Sequence, residues 1–470
     1  MPIDPPGLDP ESRPAWLRAL TRLPLLAYRS LRWGALRGGW LPSYFRRPRF
    51  DRRSLSSDRP IDVMVLFSDH FEPAVRFGHE AAVDSVRSWC AEYEQLADRH
   101  RDADGKPPQH TWFYPYEHRN SGCVQELAAS TFRGFGEIEF HLHHGHDDAA
   151  SFASKLRDGV AWFNRFGAMI SAEANPRRPF GYVAGNSALD NGAGDDALSG
   201  CDTEVRLLQE AGCYADFTFP SLGSPAQPKK INAIYYATED GRAKSYNHGT
   251  DAAVGRKPSG DLMMIQGPIG LDLRSGKWDD GALENSSPPH PDRLASWLKA
   301  NVHVAGRPDW LFVKLHTHAM KNRQAFLGAG ADAMFAAMEH WWNRPPFRLH
   351  YVTAREAYNL VKAAEAGHGG DPNDYRDFVI PPPANRLIHC TGEWLLRSCT
   401  PQRVHLDVLD PRPVHLEFGQ GNLRALTGRL REVEACYRWG TLETLRVSSL
   451  GPVQVDPPHC AELLRAPQSV

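Results

Sequence analysis

IDVMVLFSDHFEP, residues 61 to 73, is an apolar run that stops abruptly in Asp69, His70 and Glu72. Its first seven residues show no alternation, the pattern of a strand buried on both faces as in a parallel sheet. EAAVDSVRSWCAEYEQLADRH (80 to 100) follows, with Val83, Val86, Trp89, Cys90, Tyr93 and Leu96 on one helical face. HTWFYPY (110 to 116) is the next apolar run, so the unit reads strand, helix, strand. The alternation continues through EIEFHLH (137 to 143), FGYVAG (180 to 185), ADFTF (215 to 219), LMMIQG (262 to 267), WLFVKLH (310 to 316) and RLHYV (348 to 352). Helices are expected near 149 to 166, 202 to 212, 291 to 303, 331 to 342 and 354 to 366. Seven or eight such units predict the α/β class and a parallel sheet closed into a (β/α) barrel, with an open doubly wound sheet as the alternative.

At 470 residues the chain exceeds one ordinary core. We expect the barrel over 59 to 370, a basic helical segment over 1 to 58, and a small β-rich module over 371 to 470. The module is read from RVHLDVLDPRPVHLEF (403 to 418), where Val404, Leu406, Val408 and then Val414, Leu416, Phe418 alternate across a Pro-containing turn. Residues 186 to 200, 249 to 261 and 274 to 289 read as long Gly-rich or polar connections.

A hydrophobic content of 41% and a formal net charge of −2 describe an ordinary globular protein and give no sign of nucleic-acid binding. The charge is uneven. Residues 1 to 60 hold twelve Arg and no Lys against five acidic residues, an excess of seven positive charges that leaves −9 on the remainder. Residues 14 to 40 carry Trp16, Leu20, Leu23, Ala27 and Leu31 at helical spacing among arginines, interrupted by Pro24. A basic helix packed on its own acidic body is the favoured reading; peripheral contact with an anionic membrane is the minority one. Eight scattered cysteines without a Cys-x-x-Cys pair read as free buried thiols, and with no secretory signal in MPIDPPGLDP a cytoplasmic location is the default.

The chemistry gathers at the expected C-terminal ends of strands, where α/β enzymes keep their reactive groups. Asp69, His70 and Glu72 end the first strand. EIEFHLHHGHDD (137 to 148) puts His141 and His143 on one strand face, His144 opposite, and His146 in the turn. KLHTHAM (314 to 320) adds His316 and His318, and GNSALDNGAGDD (185 to 196) a loop with Asn186, Asp190 and Asn191. Carboxylate plus imidazoles suit Zn²⁺ or a similar divalent ion. There is no P-loop pattern and no G-x-S-x-G elbow, which moves nucleotide hydrolysis and serine hydrolysis out of the front rank.

The order of these motifs resembles the polysaccharide deacetylase (NodB-homology) superfamily over roughly residues 60 to 365. FSDHFEP resembles its aspartate motif, TWFYPY its second strand, EIEFHLHHGHD its histidine motif, RRPFGYVAGN its Arg-Pro motif, YADFTFPS its fourth motif, and WLFVKLHTH its closing Leu-His. The resemblance implies a distorted (β/α) barrel, a divalent metal, and removal of an N-acetyl or O-acetyl group from a carbohydrate or glycan. It implies Asp69 and His141 as metal ligands. We expect His316 to be the acid that protonates the leaving amine, and Asn186, Asn191, Asp216 and His318 to bind substrate. Two positions depart from the family. Its second histidine falls on Gly145, so His143 or His146 must take that place. Its catalytic-base aspartate falls on Ser68, leaving Glu72, Asp190, His70 or Asp69 itself as the base.

Two alternatives accompany this expectation. A glycoside hydrolase on a related barrel would use paired carboxylates, Asp69 with Asp190 or Asp216, and no metal. A non-catalytic carbohydrate-binding or assembly protein would use Trp112, Tyr114 and Tyr116 as a sugar platform.

Overall fold

The computed structural model describes residues 39–51, 59–173, 177–272 and 276–465. Of the amphipathic stretch expected over 14 to 40, residues 14 to 38 lie outside the described residues.

The first unit alternates as expected: α1 (Leu41–Arg46), β1 (Ile61–His70), α2 (Pro73–Ala97), β2 (His110–Pro115), α3 (Ser121–Phe132), β3 (Gly136–Leu142), α4 (Ala149–Phe163), β4 (Phe180–Ala184), α5 (Glu204–Glu210) and β5 (Cys213–Asp216). There follow β6 (Ile234–Ala237), β7 (Gly249–Asp251), β8 (Leu262–Ile265), β9 (Gly270–Asp272), β10 (Lys277–Asp279), α6 (Leu294–Lys299), β11 (Trp310–Thr317), α7 (Arg323–Leu327), α8 (Ala329–Trp342), β12 (Phe347–Tyr351) and α9 (Ala354–Glu365). Helix α3 was not expected, because Ser, Gly and Thr dilute its apolar face. It starts at a cap instead, the Asn120 side chain accepting from the Gly122 and Cys123 amides.

Ten strands form one sheet in the order β11-β1-β2-β3-β4-β5-β8-β6-β7, with β12 added to β1. The ladder is parallel from β11 to β8, and antiparallel only where β6 and β7 extend the edge. Strand β1 forks: residues 61–65 pair with β12 and residues 67–70 with β2. No ladder joins the two ends of this path among the described residues. The sheet still bends enough for the Lys314 ammonium of β11 to donate to the Phe217 carbonyl just beyond β5 at 2.6 Å.

Each strand sends alternate residues into two apolar clusters. Val63, Val65, Phe67, Trp112, Tyr114, Ile138, Phe140 and Leu142 pack with α2, α3, α4 and α8. Met64, Leu66, Phe113, Val183, Phe217 and Phe312 face the other way, with α9. This parity decides which polar residues at the strand ends can meet.

The C-terminal module is two sheets around one core, β13 (Ile388–Cys390), β16 (Val414–Phe418), β17 (Ala425–Gly428) and β20 (Gln454–Asp456) against β14 (Trp394–Thr400), β15 (Arg403–Val408), β18 (Leu430–Arg438), β19 (Thr441–Ser449) and β21 (Leu464–Arg465). The expected alternation is present: Val404, Leu406, Val408, Val414, Leu416 and Phe418 are all buried in that core. The strands do not form a hairpin, however. Pro411 and Pro413 carry the chain from one sheet to the other, so the two faces meet across the sandwich. The module also begins later than residue 371. Residues 371 to 386 pack on the first unit, where Arg376 reaches Asp104 and Glu356, and Arg386 reaches Glu137.

At the other end, Trp40 and Leu41 are buried with Ile231 and Ile269, and Arg47 pairs with Asp251. All eight cysteines are free, and all but Cys436 are buried. No helix among the described residues is long and apolar enough to cross a membrane.

Candidate metal centre

Parallel pairing brings the C-terminal ends of β1, β3 and β11 to one edge of the sheet. Register sets Ser68 beside His316, Asp69 beside Thr317, and His141 beside Val183. On this edge stand five side chains: His70 at the end of β1, Glu72 just after it, His141 within β3, His143 after it, and His318 after β11. They fall into two triads, His70–Glu72–His318 and Glu72–His141–His143. The ligand atoms of each lie within 4.8 Å of one another and could hold a metal ion.

The floor is buried and the rim open. His141, His70 and Glu72 are buried, whereas the side chains of His143 and His318 keep 26% and 30% of their exposure, which gives a small molecule a way in. His141 Nδ1 lies 2.8 Å from the Val183 carbonyl and donates to it, so its neutral ring offers the Nε2 lone pair. That lone pair faces Glu72 Oε1 at 3.4 Å, and His143 Nε2 faces the same oxygen at 3.3 Å. Two acceptors so placed could share a cation. His143 Nδ1 is 2.5 Å from Glu117 and His318 Nδ1 is 2.7 Å from Glu284. The rings of His141 and His318 flank that of His70, centroids 5.0 and 4.6 Å away. Glu72 Oε2 meets the Lys321 ammonium at 2.9 Å.

Electrostatics agree with this geometry. Burial holds His70 well below its ordinary value, helped by His318 and His141, and burial also lowers His141. Burial pushes Glu72 up, but the two imidazoles at its Oε1, those of His141 and His143, outweigh it and hold the carboxyl well below its ordinary range. For His143, burial pulls down while the Glu117 and Glu72 contacts raise the ring to about 9, so without a metal it carries a proton between two carboxylates. His316 sits on the same strand face, its Nδ1 enclosed and unpartnered, and burial pushes it down to about 4.

Several expected site residues lie elsewhere. Asp69 has the parity of Phe67 and points into the helix layer, where Oδ2 meets His110 Nε2 at 2.8 Å and Oδ1 accepts from the Ala319 amide at 2.9 Å. It joins neither triad, and His70 and Glu72 stand there in its place. His146 is exposed in its turn and joins neither triad, whereas His143 stands beside His141 in one of them. Asp190 is buried in a loop, accepting from both the amide and the hydroxyl of Ser245 and from the Glu204 amide. Asn191 ties Asp196 and Asp202, Asn186 is exposed, and Asp216 accepts from the amide and hydroxyl of Thr218. Neither Asp190 nor Asp216 is left for the paired-carboxylate alternative, because each is taken up internally. The sugar platform fails as well, since Trp112 and Tyr114 are fully buried in the core.

Glu117, Glu284 and Lys321 were not anticipated. Glu117 carried a usable signal, an acid directly after the strand TWFYPY. Glu284 and Lys321 reach the site through loop paths that the sequence does not display. Two other groups, Asp104–His350–Asp371 and His405–Asp407–Glu432, also bring possible ligands together. Arg376 and Arg348 already neutralise the acids of the first, and the second lies on the partly exposed outer face of the C-terminal module. No protein-family model matches the chain, and no match to it is found among curated proteins.

Proposed function

We propose that this chain is a metal-dependent hydrolase that removes an acetyl group from the nitrogen or oxygen of a carbohydrate. On this reading it is a divergent deacetylase on a distorted (β/α) barrel, with Zn²⁺ or a similar divalent ion held by Glu72, His141 and His143. The observation that carries it is the convergence of two histidine nitrogens on one carboxylate oxygen at 3.4 and 3.3 Å. Metal bonds of about 2.0 to 2.2 Å at a tetrahedral angle separate neighbouring ligand atoms by about 3.3 to 3.6 Å. Three protein ligands leave a fourth position for water or an acyl oxygen. An ion held by Glu72, His141 and His143 would supply Lewis-acid chemistry, lowering the pKa of a bound water and polarising the acyl group.

The residues do the rest. The Val183 carbonyl and the Glu117 carboxylate fix the rings of His141 and His143, so the ligand nitrogens need no reorganisation. Glu72, expected as the base, serves here as a ligand. Neutral His316 takes up the proton released from the attacking water and returns it to the departing nitrogen or oxygen, a step typically worth about 10²- to 10⁴-fold. Acetate release from N-acetylglucosamine oligomers and from O-acetylated polysaccharides tests the reading. Turnover should fall by about 10²-fold or more in His316→Ala with metal content unchanged; unaltered turnover removes His316 from the mechanism.

A further inference from the structure

Glu72 belongs to both triads, which one metal ion does not explain. One ion needs the Glu72–His141–His143 set only. His70 and His318 are then two more imidazoles beside the same carboxylate, their rings 4.6 Å apart and that of His70 5.0 Å from His141.

The outer histidines of the two triads are mounted in the same way. His143 turns Nδ1 to the Glu117 carboxylate at 2.5 Å, and His318 turns Nδ1 to the Glu284 carboxylate at 2.7 Å. A carboxylate behind an imidazole fixes its tautomer and aims the other nitrogen outward, the usual support of a metal-bound histidine. Glu117 comes from the turn after β2, and Glu284 from the segment that bridges to β11 through the Leu283 amide and the His316 carbonyl. Two unrelated stretches of chain thus supply the same support to two histidines that share Glu72.

We propose that Glu72 bridges two divalent metal ions, one held by His141 and His143 and the other by His70 and His318. The inference rests on the metal-dependent reading above and extends it from one ion to two. Ions about 3.5 to 4 Å apart can share a carboxylate, and such a pair would stabilise both the attacking oxygen and the leaving oxygen or nitrogen of a hydrolysed ester or amide. Without metal, part of the second ion's charge is supplied by Lys321, whose ammonium meets Glu72 Oε2 at 2.9 Å on a side chain that is 45% exposed and long enough to swing away. Glu284 acts through His318 and is a positioning residue.

The test uses the full chain, stripped with chelator and then titrated with Zn²⁺, bound metal being counted after desalting. Two equivalents per chain are expected, falling to one in His318→Ala and in His70→Gln. Glu284→Gln, which leaves every ligand in place, should weaken the second equivalent about 10- to 100-fold and spare the first. The Co²⁺-loaded protein should show magnetic coupling between the two ions. One equivalent in the parent chain, unchanged by His318→Ala, overturns the second ion and leaves the site at His141 and His143 standing. No binding at all overturns both.

Discussion

Asp69 and His70 are neighbours in sequence and opposites in role. Strand β1 is buried along its whole length, so its apolar residues give no hint of which parity faces the site. The eye falls on the aspartate, while the pleat delivers the histidine. Asp69 satisfies a buried histidine and a backbone amide. Asp69→Ala strands both and should cost about 3 to 5 kcal/mol, read from the urea midpoint. Asp69→Asn keeps an acceptor for the Ala319 amide and should bind metal like the parent chain; metal lost from a folded Asn variant would return Asp69 to the centre. On β3 the sequence was more legible, because His141 and His143 alternate with Phe140 and Leu142 and share the face opposite those core residues.

Elements place these side chains through close approaches that a sequence does not announce. Gly185, directly after β4, is backed against His143: a Cβ there would lie 2.5 Å from the ring and 2.6 Å from the Cα of that residue. The second glycine of the FGYVAG run therefore makes room for His143. Gly185→Ala should push the His143 ring off Glu72 and weaken metal binding while the circular dichroism spectrum stays native; undiminished affinity would remove the contact from the account. The eight strands expected from apolar runs all exist, since such runs report burial directly. What stayed hidden was the antiparallel edge of β6 and β7, whose strands of four and three residues are too short to carry a period, and the open ladder, which depends on how far the sheet bends.

At the scale of the molecule, buried carboxyls make stability depend on pH. Burial raises Asp190 from 3.8 to about 8, against hydrogen bonds from Ser245 that oppose the rise. A folded pKa above the unfolded one means that the contribution is full below the unfolded value and is lost as pH rises through the folded one. Between about pH 4 and 8 the parent chain should lose stability relative to Asp190→Asn, seen as a difference in thermal midpoint that grows with pH and levels off beyond about 8. A difference independent of pH would mean that Asp190 is ionised in the fold. Asp190 lies outside both triads, so metal content should be the same in the two proteins. The change to a β-rich texture late in the chain was readable, but where it starts was not, because Arg376 and Arg386 tie residues before β13 to the first unit through ion pairs that no local pattern reveals. The claim on which the functional reading depends is that the His141 nitrogen and the Glu72 carboxylate converge on a metal ion, and its most direct test is elemental analysis of the zinc-reconstituted chain beside His141→Ala and Asp69→Asn. The account predicts metal in the parent chain and in Asp69→Asn and a loss of metal in folded His141→Ala; no metal in the parent chain, or an undiminished amount in His141→Ala, would contradict it.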